Sequence, residues 1–177
     1  DPIPSMVRSS VKSVFNFDSV GLMNIISDMN QDQFADKPVI YGGAINQGRV
    51  NFKVELARVK KKMEAGATFF MTQPVFSDED ISRLRQIKEE TGARILCGIM
   101  PFVSLRNATF MKNEMTGINV TDEILARYSA DMTKEEGEET GIQIAKEIIT
   151  KTSDFVDGYY FSFPFNRVHM LEKILNA

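Results

Sequence analysis

Two rhythms of apolar and polar positions take turns along this chain. From Val20 onward the apolar residues Val20, Met23, Ile26 and Met29 keep the spacing of one helix face, with Asp18 or Ser19 placed to cap it. Pro38 then precedes the short apolar run Val39-Ile40-Tyr41, which reads as a buried strand ended by Gly42-Gly43. The alternation repeats. Asn51 caps a helix with Phe52, Leu56, Val59 and Met63 on one stripe, closed by Gly66, and Thr68 to Met71 reads as a strand. Ser77 and the acidic Asp78-Glu79-Asp80 suit the positive start of a helix that runs to Thr91 and stops at Gly92. Arg94 to Ile99 is the third strand, ending at Pro101. Helical patterns follow over Leu105 to Met115 and Asp122 to Ala130, and Thr133 with Glu136 forms a capping box for a helix to about Thr150. Tyr159 to Phe163 reads as the last strand and Val168 to Leu175 as the last helix.

Four strands, each followed by helix and too apolar to face water, predict an α/β chain with a parallel sheet. A small doubly wound sheet needs about five strands. A (β/α)8 TIM barrel needs eight strands and at least ~200 residues, against four strands in 177 residues here. The first residue is Asp1, not Met. The pattern therefore predicts the later, C-terminal half of a barrel, with residues 1–177 as a single fragment of it.

Composition narrows the function classes. Apolar residues make 43% and charged residues 25% of the chain, a globular balance. A net charge of −3 lacks the basic surplus that nucleic acid or an anionic membrane surface requires, so neither is an expected partner. One cysteine, Cys97, and one histidine, His169, exclude an internal disulfide framework and a Cys/His zinc site, and fit a reducing, cytoplasmic setting. No apolar run approaches the ~20 residues of a membrane span.

Chemistry in parallel α/β folds gathers at strand carboxyl ends. Gly42-Gly43-Ala44-Ile45-Asn46 offers either a plain turn or a close backbone approach to a ligand. Gln73 presents an amide that can read the edge of a heterocycle or cap its own loop. Glu55, Arg58 and Lys62 share a helix face with Lys61 beside it; this is either a solvated charged face or a clamp for a diphosphate. Asn166-Arg167 follows the last strand, where a cation and an amide suit an anionic or amide-bearing ligand, though the commoner case is that Asn166 simply caps the final helix. Cys97 reads as an inert core thiol and the 13 Phe and 10 Met residues as core filling. No strand-end lysine or carboxylate pair is present, and neither GxGxxG nor a P-loop appears.

The stretch from Glu55 through Arg58, Lys61-Lys62 and Ala65-Gly66-Ala67 to Thr72-Gln73 resembles the central segment of 5,10-methylenetetrahydrofolate reductases. Three later segments are similar in the same order: Gly98-Ile99-Met100-Pro101 with Leu105-Arg106-Asn107, then Met115-Thr116-Gly117, then Phe165-Asn166-Arg167. Asp1-Pro2 resembles the end of the family's Gly-Asp-x-Pro loop. The resemblance implies a TIM barrel that holds FAD, accepts reducing equivalents from NAD(P)H and reduces 5,10-methylenetetrahydrofolate to 5-methyltetrahydrofolate. By motif it assigns Asp1, Gln73, Asn107 and Arg167 to the folate substrate, and Phe15, Asn16, Asn46, Glu55, Arg58, Lys61 and Lys62 to the cofactor. Gly42-Gly43 departs from the Tyr or Pro of many members. The family's catalytic Glu would lie in the missing N-terminal half, so no catalytic residue is assigned and the fragment alone is expected to be inactive. The Gly-Gly-Ala-x-Asn and Phe-Met-Thr-Gln-Pro stretches look closer to members fused behind a homocysteine methyltransferase domain. Two other readings remain at this stage: a non-catalytic α/β binding module, and a half-barrel that pairs with a second copy as a homo-oligomer.

Overall fold

The computed structural model describes residues 17–115 and 117–176. In chain order these form α1 (Ser19–Gln31), β1 (Gly42–Ile45), α2 (Phe52–Glu64), β2 (Phe69–Pro74), α3 (Asp78–Thr91), β3 (Ile95–Ile99), α4 (Leu105–Glu114), α5 (Asp122–Ala126), α6 (Lys134–Thr152), β4 (Gly158–Phe161), a 3₁₀ turn (Pro164–Asn166) and α7 (His169–Leu175). The four strands form one parallel sheet in the order β1-β2-β3-β4. Strand order that simply follows the sequence has no reversal point, unlike a doubly wound sheet. Because parallel crossovers are right-handed, such an order sends successive helices to one face. Burial follows this geometry. Ile45, Phe70, Thr72, Ile95, Cys97 and Ile99 are buried, while Ala44 and Met71 are exposed and Phe69, Leu96 and Tyr160 only half-buried.

The helix starts stand where the polar caps predict. Asp18, Asn51, Ser77, Ser104, Thr121 and Thr133 each accept a hydrogen bond from a backbone N–H in the first turn, and Thr133 and Glu136 complete the capping box. Gly92 ends α3 in the left-handed conformation, φ 66°. Helix α6 sits deepest. At Gly137 and Gly141, one turn apart, the backbone meets the Phe102–Val103 segment so closely that a Cβ at either position would fall inside contact with a carbonyl oxygen.

Four expectations are corrected. The first strand is Gly42–Ile45, not Val39-Ile40-Tyr41. Val39 is 44% and Ile40 77% exposed, and the Asn30 amide takes both the N–H and the C=O of Val39. The two glycines lie inside the sheet because side chains occupy the space of their missing Cβ atoms: the Phe69 ring at Gly42, the Phe70 ring and the Lys62 stem at Gly43. The second strand continues through Thr72 and Gln73 to Pro74. The Asp122 helix stops at Ala126, where Tyr128 turns inward to donate its hydroxyl to Phe102 O. Asn166 does not cap the last helix; it has φ 60°, directly after Phe165 at φ 54°, and α7 begins after Val168 without a side-chain cap. Among the described residues, no helix is long and apolar enough to cross a membrane.

Candidate functional site

Parallel strands bring their carboxyl ends to one side of the sheet, where Gln73 sits near the end of β2 and the segments leaving β1, β3 and β4 carry Asn46, Asn107 and Arg167. Asp1, Phe15 and Asn16 lie outside the described residues.

Helix α2 turns Glu55 and Lys62 inward: both are buried, at 3% and 5% exposure. The Glu55 carboxylate accepts the Asn46 N–H at 2.9 Å and faces the Arg49 guanidinium at 3.7 Å. The Lys62 ammonium donates to Ala44 O at 2.6 Å. Burial pushes the Lys62 pKa below its usual value; the Glu55 charge works against that shift and Arg58 reinforces it. Gly43 makes this reach possible, since a Cβ there would stand 3.0 Å from Lys62 Cδ. The close approach at the glycine pair is therefore made by the chain's own Phe69, Phe70 and Lys62. Arg58 and Lys61 are exposed, and Arg58 shares with Lys62 and Gly42–Ala44 a cleft of about 620 Å³ between α1 and the β1 edge. Of the four charged residues, then, two serve strand β1 and its loop and two face solvent.

The Asn46 Oδ1 is buried and has no hydrogen-bond partner among the described residues. Next to it lies Gln47, 1% exposed and not foreseen as a site residue. Its side-chain amide accepts from the Gln73 N–H at 3.1 Å and donates to the Gln73 C=O at 2.9 Å, extending the β1–β2 pairing with a side chain. The Gln73 side chain is half-buried and makes no hydrogen bond to the described residues.

Asn107 spends its Oδ1 on the Val103 N–H at 3.3 Å, tying α4 to the strand-end segment before it. Arg167 pairs through Nε with Glu138 at 2.7 Å, while its Nη1 is buried without a partner among the described residues. Glu138 also bonds His169 at 2.9 Å; that bond and the Arg167 charge outweigh burial and lower its pKa. Arg106, Lys134, Phe165 and Arg167 line a cavity of about 710 Å³ beyond β3 and β4. Three cations around one cavity suit an anionic ligand. His169 is exposed, and Cys97 is fully buried with its thiol pKa pushed up to about 12, chiefly by burial.

Comparison with solved structures finds a similar fold in an uncharacterized protein from Clostridium thermocellum, described as binding two copies of 5-methyl-5,6,7,8-tetrahydrofolic acid. The TM-score is 0.60 at 16% identity, over 90% of this chain and 57% of that one. This chain thus spans little more than half the length of that relative. No curated protein matches it. The sequence model of the family described as Methylenetetrahydrofolate reductase matches residues 10–176, and the chain belongs to that family.

Proposed function

We propose that this chain forms the C-terminal half of a (β/α)8 barrel whose strand ends bind a reduced folate, and that the longer protein reduces 5,10-methylenetetrahydrofolate to 5-methyltetrahydrofolate with FAD and NAD(P)H. Three things support the barrel reading: strand order that follows the sequence, helices on one face, and an opposite face where Ala44 and Met71 are exposed and Phe69, Leu96 and Tyr160 only half-buried. Family membership and the folate described for the similar structure support the substrate class. The single observation that carries the site is Gln73, whose backbone is locked on both polar atoms while its side-chain amide, at a strand carboxyl end, makes no hydrogen bond to the described residues.

In this reading Gln73 supplies a donor and an acceptor to the pterin edge, and Arg167 with Arg106 and Lys134 faces the folate's carboxylates. Asn107 positions the start of α4 beside that cavity. The flavin, when bound, supplies the hydride chemistry. The residues present fit it in a divided way. Arg58 and Lys61 offer exposed cations for the diphosphate and Asn46 Oδ1 an unpaired acceptor for a ligand hydroxyl. Glu55 and Lys62 act from behind, holding β1 and the Asn46 backbone in place. Asp1, Phe15 and Asn16 complete the assignment at the amino-terminal side, and the acid that assists protonation belongs to the upstream half.

Titration calorimetry with 5-methyltetrahydrofolate tests the proposal. Gln73→Ala should weaken binding about tenfold, the loss of one to two hydrogen bonds at ~1 kcal/mol each. Lys61→Ala with Arg58→Ala should weaken FAD binding and leave the folate constant unchanged. Equal folate affinity for wild type and Gln73→Ala would remove the central element of the reading.

A further inference from the structure

We propose that Gln47, Thr72 and Tyr160 are positioning residues, which hold a bulge in β2 so that Gln73 is aimed at its ligand; this rests on the folate reading above. The starting point is the register of β2 against β3. Met71 pairs with Leu96 and Pro74 with Gly98, so Thr72 and Gln73 together stand opposite Cys97 alone. One extra residue on one strand is a β-bulge, which re-aims side chains and breaks the hydrogen-bond ladder. The break frees polar groups inside the sheet, and three side chains take them up.

The Thr72 hydroxyl accepts the Gly98 N–H at 2.9 Å and donates to Gln73 O at 2.7 Å. The Tyr160 hydroxyl crosses from β4 and donates to Thr72 O at 2.5 Å. That crossing needs Gly98, where a Cβ would stand 2.6 Å from the Tyr160 oxygen. Gln47 takes the Gln73 N–H and C=O from the other side. Thr72 and Gln47 are buried at 2% and 1% exposure. The Gln73 peptide is therefore gripped from the loop after β1, from β2 itself and from β4 at once. An ordinary strand residue would need no such grip. These side chains fix the backbone of a strand-end residue whose own amide makes no hydrogen bond to the described residues.

Tyr160→Phe, Gln47→Glu, Thr72→Val and Thr72→Ser in the full chain test this by two measurements, backbone amide exchange and titration with 5-methyltetrahydrofolate. Gln47→Glu keeps the acceptor and loses the donor, and covers the case in which Tyr160→Phe fails to fold. The expected result is at least tenfold faster exchange at Gln73 and Gly98 in Tyr160→Phe and Thr72→Val, with Phe70, bonded to Arg94 O in the regular part of the sheet, unchanged. Folate affinity should fall about fivefold, return in Thr72→Ser, and fall only about twofold further, to the level of Gln73→Ala alone, when Gln73→Ala is added to Tyr160→Phe. Unchanged exchange and affinity in Tyr160→Phe and Gln47→Glu, with Gln73→Ala still weakening folate, would overturn the positioning role and leave the folate reading intact. Unchanged affinity in Gln73→Ala itself would overturn both.

Discussion

Gly141→Ala puts one methyl group where α6 rests on the Phe102–Val103 segment. The new Cβ would stand 3.1 Å from the Phe102 carbonyl carbon and 3.3 Å from its nitrogen, and closer still to its oxygen. The obstacle is backbone on both sides, since Phe102 is itself buried at 2% exposure, so no side chain can swing away. Helix and segment must part by about 1 Å, and a gap of that size forfeits a quarter to a half of each dispersion contact along the seam. Ile142, Ile144, Ala145 and Ile148 on the same helix are all at least nine-tenths buried. Over-packing of this kind costs about 3 kcal/mol, from which the helix preference of Ala over Gly subtracts about 1 kcal/mol. The net loss should be about 2 kcal/mol, or roughly 4–8 °C in Tm for a chain of this size. Urea unfolding followed by circular dichroism reads it directly. Gly92→Ala is the contrasting variant, with open space around its Cβ and a cost of ~1 kcal/mol from φ 66° alone. A neutral or stabilised Gly141→Ala, as at an exposed helix glycine, would refute the seating of α6.

Other consequences are as direct. Lys62→Met should lose the Ala44 bond but shed the cost of a buried charge. Because the folded Lys62 pKa lies below 10.5, wild type should gain stability relative to Lys62→Met as pH rises from that lowered value towards 10.5, and a flat difference in urea midpoints would contradict it. Asp80 is 1% exposed and burial raises its pKa, so its contribution to stability should fall as pH rises from 3.8 through the folded value; Asp80→Asn should abolish that slope in acid-range unfolding curves. Glu138 has the opposite sign. Its stabilisation is present above 4.5 and lost as pH falls through the lowered folded value, and Glu138→Gln should remove this loss while weakening folate by freeing Arg167. Cys97 should resist alkylation at neutral pH until the chain is unfolded, and rapid labelling of the native protein would place it elsewhere than in the core.

Local chemistry made the helices readable. Asp18, Asn51, Ser77 and Thr133 act on N–H groups within their own first turn, so each cap could be read without knowing the rest of the molecule. The first strand was not readable in that way. Val39 and Ile40 are more apolar than Gly42-Gly43, yet pairing goes to the glycines because Phe69, Phe70 and Lys62, more than 15 residues away, fill their faces. The site divides along the same line. Spacing alone put Glu55, Arg58 and Lys62 on one face of α2, but which of them turn inward depends on Asn46 and Ala44 across the loop. Gln47 and Tyr160 left no trace in the sequence, since an amide and a phenol that complete a bulge look like any other polar and aromatic residue.

Strand order also has a consequence in time. Thr68 and Tyr41 bond across 27 residues and Thr72 and Gly98 across 26, but Ile95 reaches Asp157 across 62. Closing the longer loop costs about 0.8 kcal/mol more in chain entropy. The first three strands can therefore zip while α4, α5 and α6 are still searching. On closure cost alone, strand β4 should pair after the first three. Tyr160 reaches Thr72 across 88 residues, so the grip on Gln73 depends on a far longer closure than the pairing of β2 with β3 that it steadies.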